Sequence, residues 1–394
     1  MTAISRPLVR RTEFLPFSPP FVGEEEIAAV GEAIRAGWIT TGPRTKEFEL
    51  AFAKFVSAPE ALALNSCTAA LHTALITAGI GRGDEVITTP FTFAASVNVI
   101  EHVGARPVLV DVQRDTLNID PAAIRAALTP RTRAIIPVHY AGHPADLDAI
   151  AAIAKQHGLV VVEDAAHAVA ARYHGVLIGG HGNPTAFSFY ATKNLATGEG
   201  GALTAAPDFL TRARMVSLHG MSRDAYRRYQ KGGTWRYEIL TPGFKYNMTD
   251  IQAAMGLVQL TKLPVMQRRR KEIANRYISD LRIHHSFDLP VERSDVEHAW
   301  HLFPLRLRLE TLRIDRDQFS AELTARNIGH SVHFIPVHVH PYYREKYSYR
   351  PEALPVAYRQ YQRLLTIPLH PGLTDRDVHD VVAAVVDIAD THAK

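Results

Sequence analysis

Short apolar, β-branched runs alternate with longer amphipathic ones through the first half of the chain. EVITT (85–89), RPVLVDV (106–112), RAIIPVHY (133–140) and LVVVEDA (159–165) predict buried strands. Between them SVNVIEHVGA, DPAAIRAAL and DLDAIAAIAKQHG carry apolar residues at helical spacing. Near-continuous Val/Ile/Leu strands separated by helices predict an α/β fold, a mainly parallel sheet covered by helices on both faces. Ligands of such sheets collect beyond the carboxyl ends of the strands. That places Pro90–Phe93, His139–Gly142 and Glu163–His167 on a common rim.

Past residue 260 the alternation changes. A long helical pattern (262–282) leads to AWHLFPLRLRL, a helix, the run HSVHFIPVHVH and a closing helix (374–391). This predicts a smaller C-terminal α+β domain, 261–394, beside a large domain, 1–260. A chain of 394 residues exceeds what one core usually serves, which agrees with two domains. The segment 220–243, rich in Arg, Tyr and Gly, has the weakest pattern and predicts a long surface or interface loop.

Composition narrows the function classes. Net charge is +4, from 44 basic against 40 acidic residues, too small and evenly spread for a nucleic-acid footprint. The basic run Arg268–Lys271 sits in a helical pattern and reads as a solvated face. A single cysteine, Cys67, excludes an internal disulfide and suits a reducing compartment. No stretch approaches the ~18 apolar residues of a membrane span, and MTAISRPLVRRTEF lacks the apolar centre of a signal peptide. The expectation is a cytoplasmic protein without membrane or nucleic-acid partners.

Candidate chemistry clusters on the predicted rim. In NSCTAALHTALITAGIG (65–81), Asn65, Ser66, Cys67 and Thr68 open a helix whose free N–H groups suit a phosphate. Ser66 or Thr68 serves equally as a plain helix cap. VVVEDAAHA (160–168) ends a strand with Glu163 and Asp164. A Rossmann ribose ligand is excluded there, because GIGRGDE (79–85) precedes its strand instead of following it. An acid at a strand end can instead hold a pyridine nitrogen protonated, which makes the ring an electron sink. FSFYATKNLATGEGG (187–201) sets Lys193 where a strand gives way to a glycine-rich loop. A desolvated lysine there has a depressed pKa and is free to form an imine. Phosphate cup, acid and lysine together specify pyridoxal 5'-phosphate (PLP): aldehyde to Lys193, ring nitrogen to Asp164, phosphate to Ser66, Thr68 and Ser188. Phe93 is placed to stack on the ring or to be ordinary core.

The chain resembles the PLP-dependent nucleotide-sugar aminotransferases of the DegT/StrS family. The matching segments include GWITTGPRTKEFE (37–49), NSCTAAL, TPFTFAASVNVI, PVHYAGHPADLDAI, VVEDAAHA, FSFYATKNLATGEGGAL, GFKYNMTDIQAAMGLVQL (243–260), HAWHLF (298–303) and VHFIPVH (332–338). The resemblance implies a fold-type-I aminotransferase. It implies Lys193 as the Schiff-base lysine, Asp164 as the pyridinium partner, Ser188 as a phosphate ligand and His167 as a neighbour of the ring. Members that act as dehydratases carry histidine in place of the lysine, so Lys193 argues against that outcome; amination of a cyclitol ketone stays open, and intact Lys193, Asp164 and Ser188 argue against a non-enzymatic PLP-binding sensor. It further implies an amino-acid donor, usually L-glutamate, a nucleotide-sugar substrate, and a homodimer whose active sites lie at the subunit interface. Many members read GYNYR where this chain reads GFKYN (243–247), so Lys245 or Asn247 is the residue expected at the partner's cofactor phosphate. GFKYN, PVHYAG and GWITTGP together resemble the members that form 4-amino-4-deoxy-L-arabinose on a UDP carrier.

VHFIPVHVH also permits a metal site, with His338 and His340 alternating on a strand and His333 near them. No cysteine or acidic ligand adjoins them, and no metal is expected. The resemblance instead turns His333 toward the substrate. Trp38, Thr40 and Tyr140 are further substrate-pocket candidates, with core packing as the competing role.

Overall fold

The computed structural model describes residues 10–221 and 237–394. The expected parallel sheet is present, in the order Arg106–Leu109, Glu85–Thr88, Thr132–Ile136, Val160–Val161. It continues through Glu163–Asp164, Thr185–Ser188, Gly201–Ala205 and Glu60–Leu64. Within it Gly201–Ala205 runs antiparallel to both of its neighbours. The two halves of the sheet meet at 160–164, where Asp164 N–H donates to the Pro137 carbonyl (2.9 Å).

Helices connect the strands as the apolar spacing requires. Ser66 caps Cys67–Thr77 by accepting from Ala69 N–H (3.0 Å), and Asp146 caps Leu147–His157 through Ala149 N–H (3.0 Å). Cys67–Thr77 is buried along nearly its whole length, so the Ser66 end is held against the sheet. In a separate core cluster of the large lobe Phe187 and Phe189 pack edge to face on Phe48 and Phe52, which stack on each other.

The C-terminal part is an antiparallel sheet of Phe287–Asp288, Phe303–Leu307 and Leu364–Ile367. Helices Arg316–Ala325 and Asp375–Thr391 cover it, the latter fixed by a capping box between Thr374 and Asp377. The division at residue 260 falls inside one helix, Asp250–Leu281. Its first half packs into the large-lobe core through Ala253, Leu263 and Met266. Its second half packs into the C-terminal core through Ile273, Ala274, Tyr277 and Leu281.

One sequence expectation changes. HSVHFIPVHVH is not a strand: a 3₁₀ turn, Val337–Val339, runs between Pro336 and Pro341. Proline supplies no N–H to a ladder, which favours the turn. His338 is buried with Nε2 donating to the Pro351 carbonyl (2.9 Å), and does not alternate with His340 as metal ligands would. Among the described residues no group of three or more His, Cys, Asp or Glu side chains could hold a metal ion. For the expected loop at 220–243, residues 222–236 lie outside the described residues. Its two ends meet, with Leu240 N–H donating to the Gly220 carbonyl (2.8 Å). No helix of the described residues is long and apolar enough to cross a membrane.

Candidate active site

Alternation along a strand separates the two acids at its end. Glu163 turns to one face and accepts from Asn183 Nδ2 (2.8 Å) and from His139 Nε2 (2.9 Å). His139 carries its proton on Nε2, because its Nδ1 accepts from Ala145 N–H (3.0 Å). This buried pair ties neighbouring strands together. Asp164 turns to the other face, where Ser96 Oγ donates to Oδ2 at 2.6 Å and Ala166 N–H donates to Oδ1 at 3.0 Å. Cys67 Sγ stands 3.9 Å from Oδ1. Burial, and then the Asp164 charge, pushes the Cys67 thiol well up, so it stays a neutral neighbour.

Lys193 projects toward the same place. Loss of water around its amine is the largest influence and pushes its pKa down to about 8, against the upward pull of Cys67 and Asp164. Near neutral pH an appreciable share of the amine is therefore unprotonated. Asn194, the next residue, is buried and donates from Nδ2 to the Ala299 carbonyl (2.9 Å).

Histidines close the site from the other side. His167 Nδ1 accepts from Ala141 N–H (3.2 Å), which leaves its ring proton on Nε2. Burial, then Lys193 and His333, holds His167 well below the usual imidazole range. Its ring lies against His301 (centroids 4.5 Å) and stacks on Phe334 (5.7 Å). His333, with a pKa pushed down to about 4 by burial and by Lys193, stacks on Phe17 and pairs Nδ1 with Thr366 Oγ1 (3.1 Å).

The cup for an anion is built by a close approach. A Cβ on Gly201 would fall 2.4 Å from Ser66 C and 2.5 Å from Cys67 N, so only glycine lets this strand lie against the turn. Ser66 Oγ is engaged as the helix cap, while the helix start directs its N–H groups outward. Thr68 is half-buried in the first turn, and Ser188 is buried at the end of its strand with Oγ accepting from Tyr190 N–H at 3.4 Å. These donors, the Lys193 amine and the Asp164 carboxylate fit PLP.

Phe93 is 67% exposed and touches Phe334 at 6.3 Å between centroids. The core alternative for it therefore fails, and its ring face is free. Tyr140 is the opposite case: it is buried against Phe91, its hydroxyl donates to the His333 carbonyl (2.6 Å), and burial raises its pKa. Trp38 is 47% exposed, with Nε1 donating to the Thr41 carbonyl (2.9 Å). Thr40 is exposed, and its carbonyl accepts from Asp250 N–H (2.9 Å). Lys245 donates to Asn247 Oδ1, and Asn247 Nδ2 donates to Thr41 Oγ1 (2.6 Å). Trp38, Thr40, Lys245 and Asn247 thus form one patch. It adjoins the anion cup of its own chain, since Asn65 N–H donates to the Tyr246 carbonyl (2.7 Å).

Ser96, Asn194, His301 and Phe334 join the site without having been singled out from sequence. All four lie inside segments that the family resemblance covers, TPFTFAAS, FSFYATKN, HAWHLF and VHFIPVH, but nothing in their spacing marks them.

A parallel α/β sheet with a desolvated lysine, a buried carboxylate and an anion cup on one rim defines a PLP enzyme of the aminotransferase fold. The chain belongs to the DegT/DnrJ/EryC1/StrS aminotransferase family, which it matches over residues 20–386. It is 50% identical to the spore coat polysaccharide biosynthesis protein SpsC of Bacillus subtilis (strain 168) over 381 residues, covering 96% of this chain and 98% of SpsC. Its fold superposes on the putative sugar aminotransferase Spr1654 of Streptococcus pneumoniae, solved in a PMP form, with a TM-score of 0.90 at 36% identity. That match covers 96% of this chain and 99% of Spr1654. The PLP form of the same protein also gives 0.90, at 35% identity and the same coverage. PseC of Helicobacter pylori, an aminotransferase involved in pseudoaminic acid biosynthesis, gives 0.87 at 28% identity, covering 96% of this chain and all of PseC. The protein is a PLP-dependent sugar aminotransferase of this family.

Proposed function

We propose that the protein moves an amino group from L-glutamate to the keto carbon of a nucleotide-linked sugar, with a UDP-4-keto sugar as the preferred acceptor. The observation that carries this reading is the buried Lys193 amine, its pKa lowered by loss of water, beside Asp164, with exposed Phe93 against Phe334 and the patch of Trp38, Lys245 and Asn247 adjoining the anion cup. Aromatic faces and a lysine suit a base or sugar and a diphosphate. The similarity to SpsC, a spore coat polysaccharide biosynthesis protein, and to PseC, an aminotransferase of pseudoaminic acid biosynthesis, supports an amino-sugar product.

When bound, PLP offers an aldehyde to an amine and a ring that accepts the electron pair of the adjacent carbon. The chain's own residues do the rest. Asp164, held by Ser96 and Ala166 N–H, keeps a proton on the ring nitrogen. Lys193, released by the incoming donor, would take the donor's α-proton on Nζ and would deliver it to the former aldehyde carbon, two bonds away. Neutral His167 would border the ring without adding charge. The same proton transfers in reverse serve the keto sugar.

The reading includes a cytoplasmic homodimer in which Lys245 or Asn247 completes the partner's phosphate site. A panel of amino donors and keto nucleotide sugars tests it. L-glutamate should yield 2-oxoglutarate in a single turnover, and a UDP-4-keto sugar should then reset the enzyme. If L-glutamate reacts but only non-nucleotide ketones reset it, the acceptor class is overturned.

A further inference from the structure

His301 is buried, and no step above uses it. It stands on a segment that is fastened at every residue. Ala299 N–H donates to the Gly142 carbonyl (2.9 Å), and His301 N–H donates to the Ala141 carbonyl (3.0 Å). Trp300 between them takes a left-handed backbone, φ 47°, with its N–H on His298 Nδ1 (2.8 Å). Arg270, also buried, reaches the carbonyls of Leu369 (2.7 Å), Trp300 and His301. The segment therefore delivers the His301 ring to a fixed place beside His167.

That place adjoins the loop of the reactive lysine. His301 Nδ1 lies 3.1 Å from Asn194 Oδ1. The amide orientation of Asn194 is set by its Nδ2, which faces two acceptors, the Ala299 carbonyl (2.9 Å) and Gln267 Oε1 (3.2 Å). Oδ1 must then accept, so His301 carries its ring proton on Nδ1. We infer that His301 is a positioning residue for Lys193: its Nδ1–H fastens Asn194, and with it the loop that bears the lysine, to the segment 299–301. The charged or titratable groups facing His301 are His167, Lys193, Arg270 and His333, and burial together with these keeps its ring neutral. Those facing Lys193 include Cys67 and Asp164. None of them replaces the bond to Asn194. Without it a buried amide oxygen is left unpaired, the loop loosens, and water reaches the amine.

The test reads the amine itself in the full-length chain after removal of the cofactor. Lys193 is labelled with trace acetic anhydride across a pH series, and its peptide is quantified by mass spectrometry. His301→Leu keeps bulk but removes the donor, whereas His301→Asn places an amide N–H near the former Nδ1. For His301→Leu the midpoint of labelling should rise from near 8 toward the ordinary lysine range by about one pH unit, a tenfold loss of free amine at fixed pH. His301→Asn should hold the midpoint near that of the parent. Asn194→Ala removes the same bond from the other side and should reproduce the shift, which keeps the test alive if His301→Leu does not fold. An unmoved midpoint in the folded donor-less variants overturns the inference. So does an equal shift in His301→Asn and His301→Leu. Loss of transamination with the midpoint unmoved would make His301 a catalytic residue instead, and would also overturn it.

Discussion

Replacing Gly201 by alanine isolates the anion cup from the rest of the site. The new Cβ would meet Ser66 C at 2.4 Å, Cys67 N at 2.5 Å and Ser66 O at 2.6 Å, where ordinary contact begins near 3.4 Å. All three are backbone atoms, so no rotamer change relieves the clash. The strand is also pinned, since Gly201 pairs with Leu64 on one side and Ser188 on the other. The turn at Ser66 must therefore retreat, at a cost of about 3 kcal/mol, the upper range for overpacking. If the retreat spoils the N–H groups that face the phosphate, affinity for PLP should fall on the order of 100-fold. Gly198→Ala is the control: its φ of 77° costs about 1 kcal/mol, but nothing lies within 4 Å of its Cβ. Titration of cofactor-free protein with PLP, followed by the visible absorbance of the lysine-bound cofactor, measures both variants, and urea unfolding measures their stability. Wild-type affinity in Gly201→Ala, with unchanged stability, would refute the cup.

Other outcomes follow from the same geometry. Lys193 binds its proton more weakly folded, at about 8, than unfolded, near 10.5, so the unfolded chain holds more protons between those values and stability rises with pH across that window. Lys193→Met should accordingly stabilise the cofactor-free protein by about 2–3 kcal/mol at pH 7, a gain that fades by pH 10, as read from urea melts at both pH values. Asp164→Asn should fold and bind PLP yet lose turnover by roughly 10³, measured as the single-turnover rate with L-glutamate; near-normal turnover would remove Asp164 from its role. Refolding an equal mixture of inactive Lys193→Ala and Lys245→Glu chains should restore about a quarter of wild-type activity if Lys245 serves its partner's site. No recovery from properly refolded dimers would mean that Lys245 serves its own chain, beside Asn65, or serves neither.

The strands of 85–165 were legible because buried parallel strands write themselves as unbroken β-branched runs. Lys193 and Asp164 were legible because a charged residue at the end of such a run has few structural reasons to be there. The sequence pattern offers both Glu163 and Asp164 at the strand end; the structure adds the reason to prefer Asp164, since Glu163 is committed to His139 and Asn183 on the opposite face. What stayed hidden depends on contacts between distant segments. Ser96 meets Asp164, and His301 meets Asn194, across stretches whose spacing carries no period. HSVHFIPVHVH misled because its alternation of Val and His imitates a strand, while Pro336 and Pro341 impose a turn. Tyr140 shows the remaining limit: an aromatic at the rim reads the same whether it faces a ligand or, as here, spends its hydroxyl on a carbonyl inside the core.

The helix Asp250–Leu281 belongs to both hydrophobic cores, and its 32 residues extend about 48 Å at the α-helical rise. Pro264, near its middle, supplies no N–H to the Leu260 carbonyl, so one backbone bond is missing where the helix still packs on the large-lobe core through Leu263 and Met266. Neither core can melt without exposing its half of this helix, and a helix stripped of one packed face keeps little stability of its own. The two lobes should therefore unfold as a single cooperative unit in calorimetry, without a plateau between separate transitions. Cutting the chain at residue 260 would not release a folded lobe. The fragment 1–260 would lose Leu263 and Met266 from its core, and the fragment 261–394 would lose Leu15 from its own.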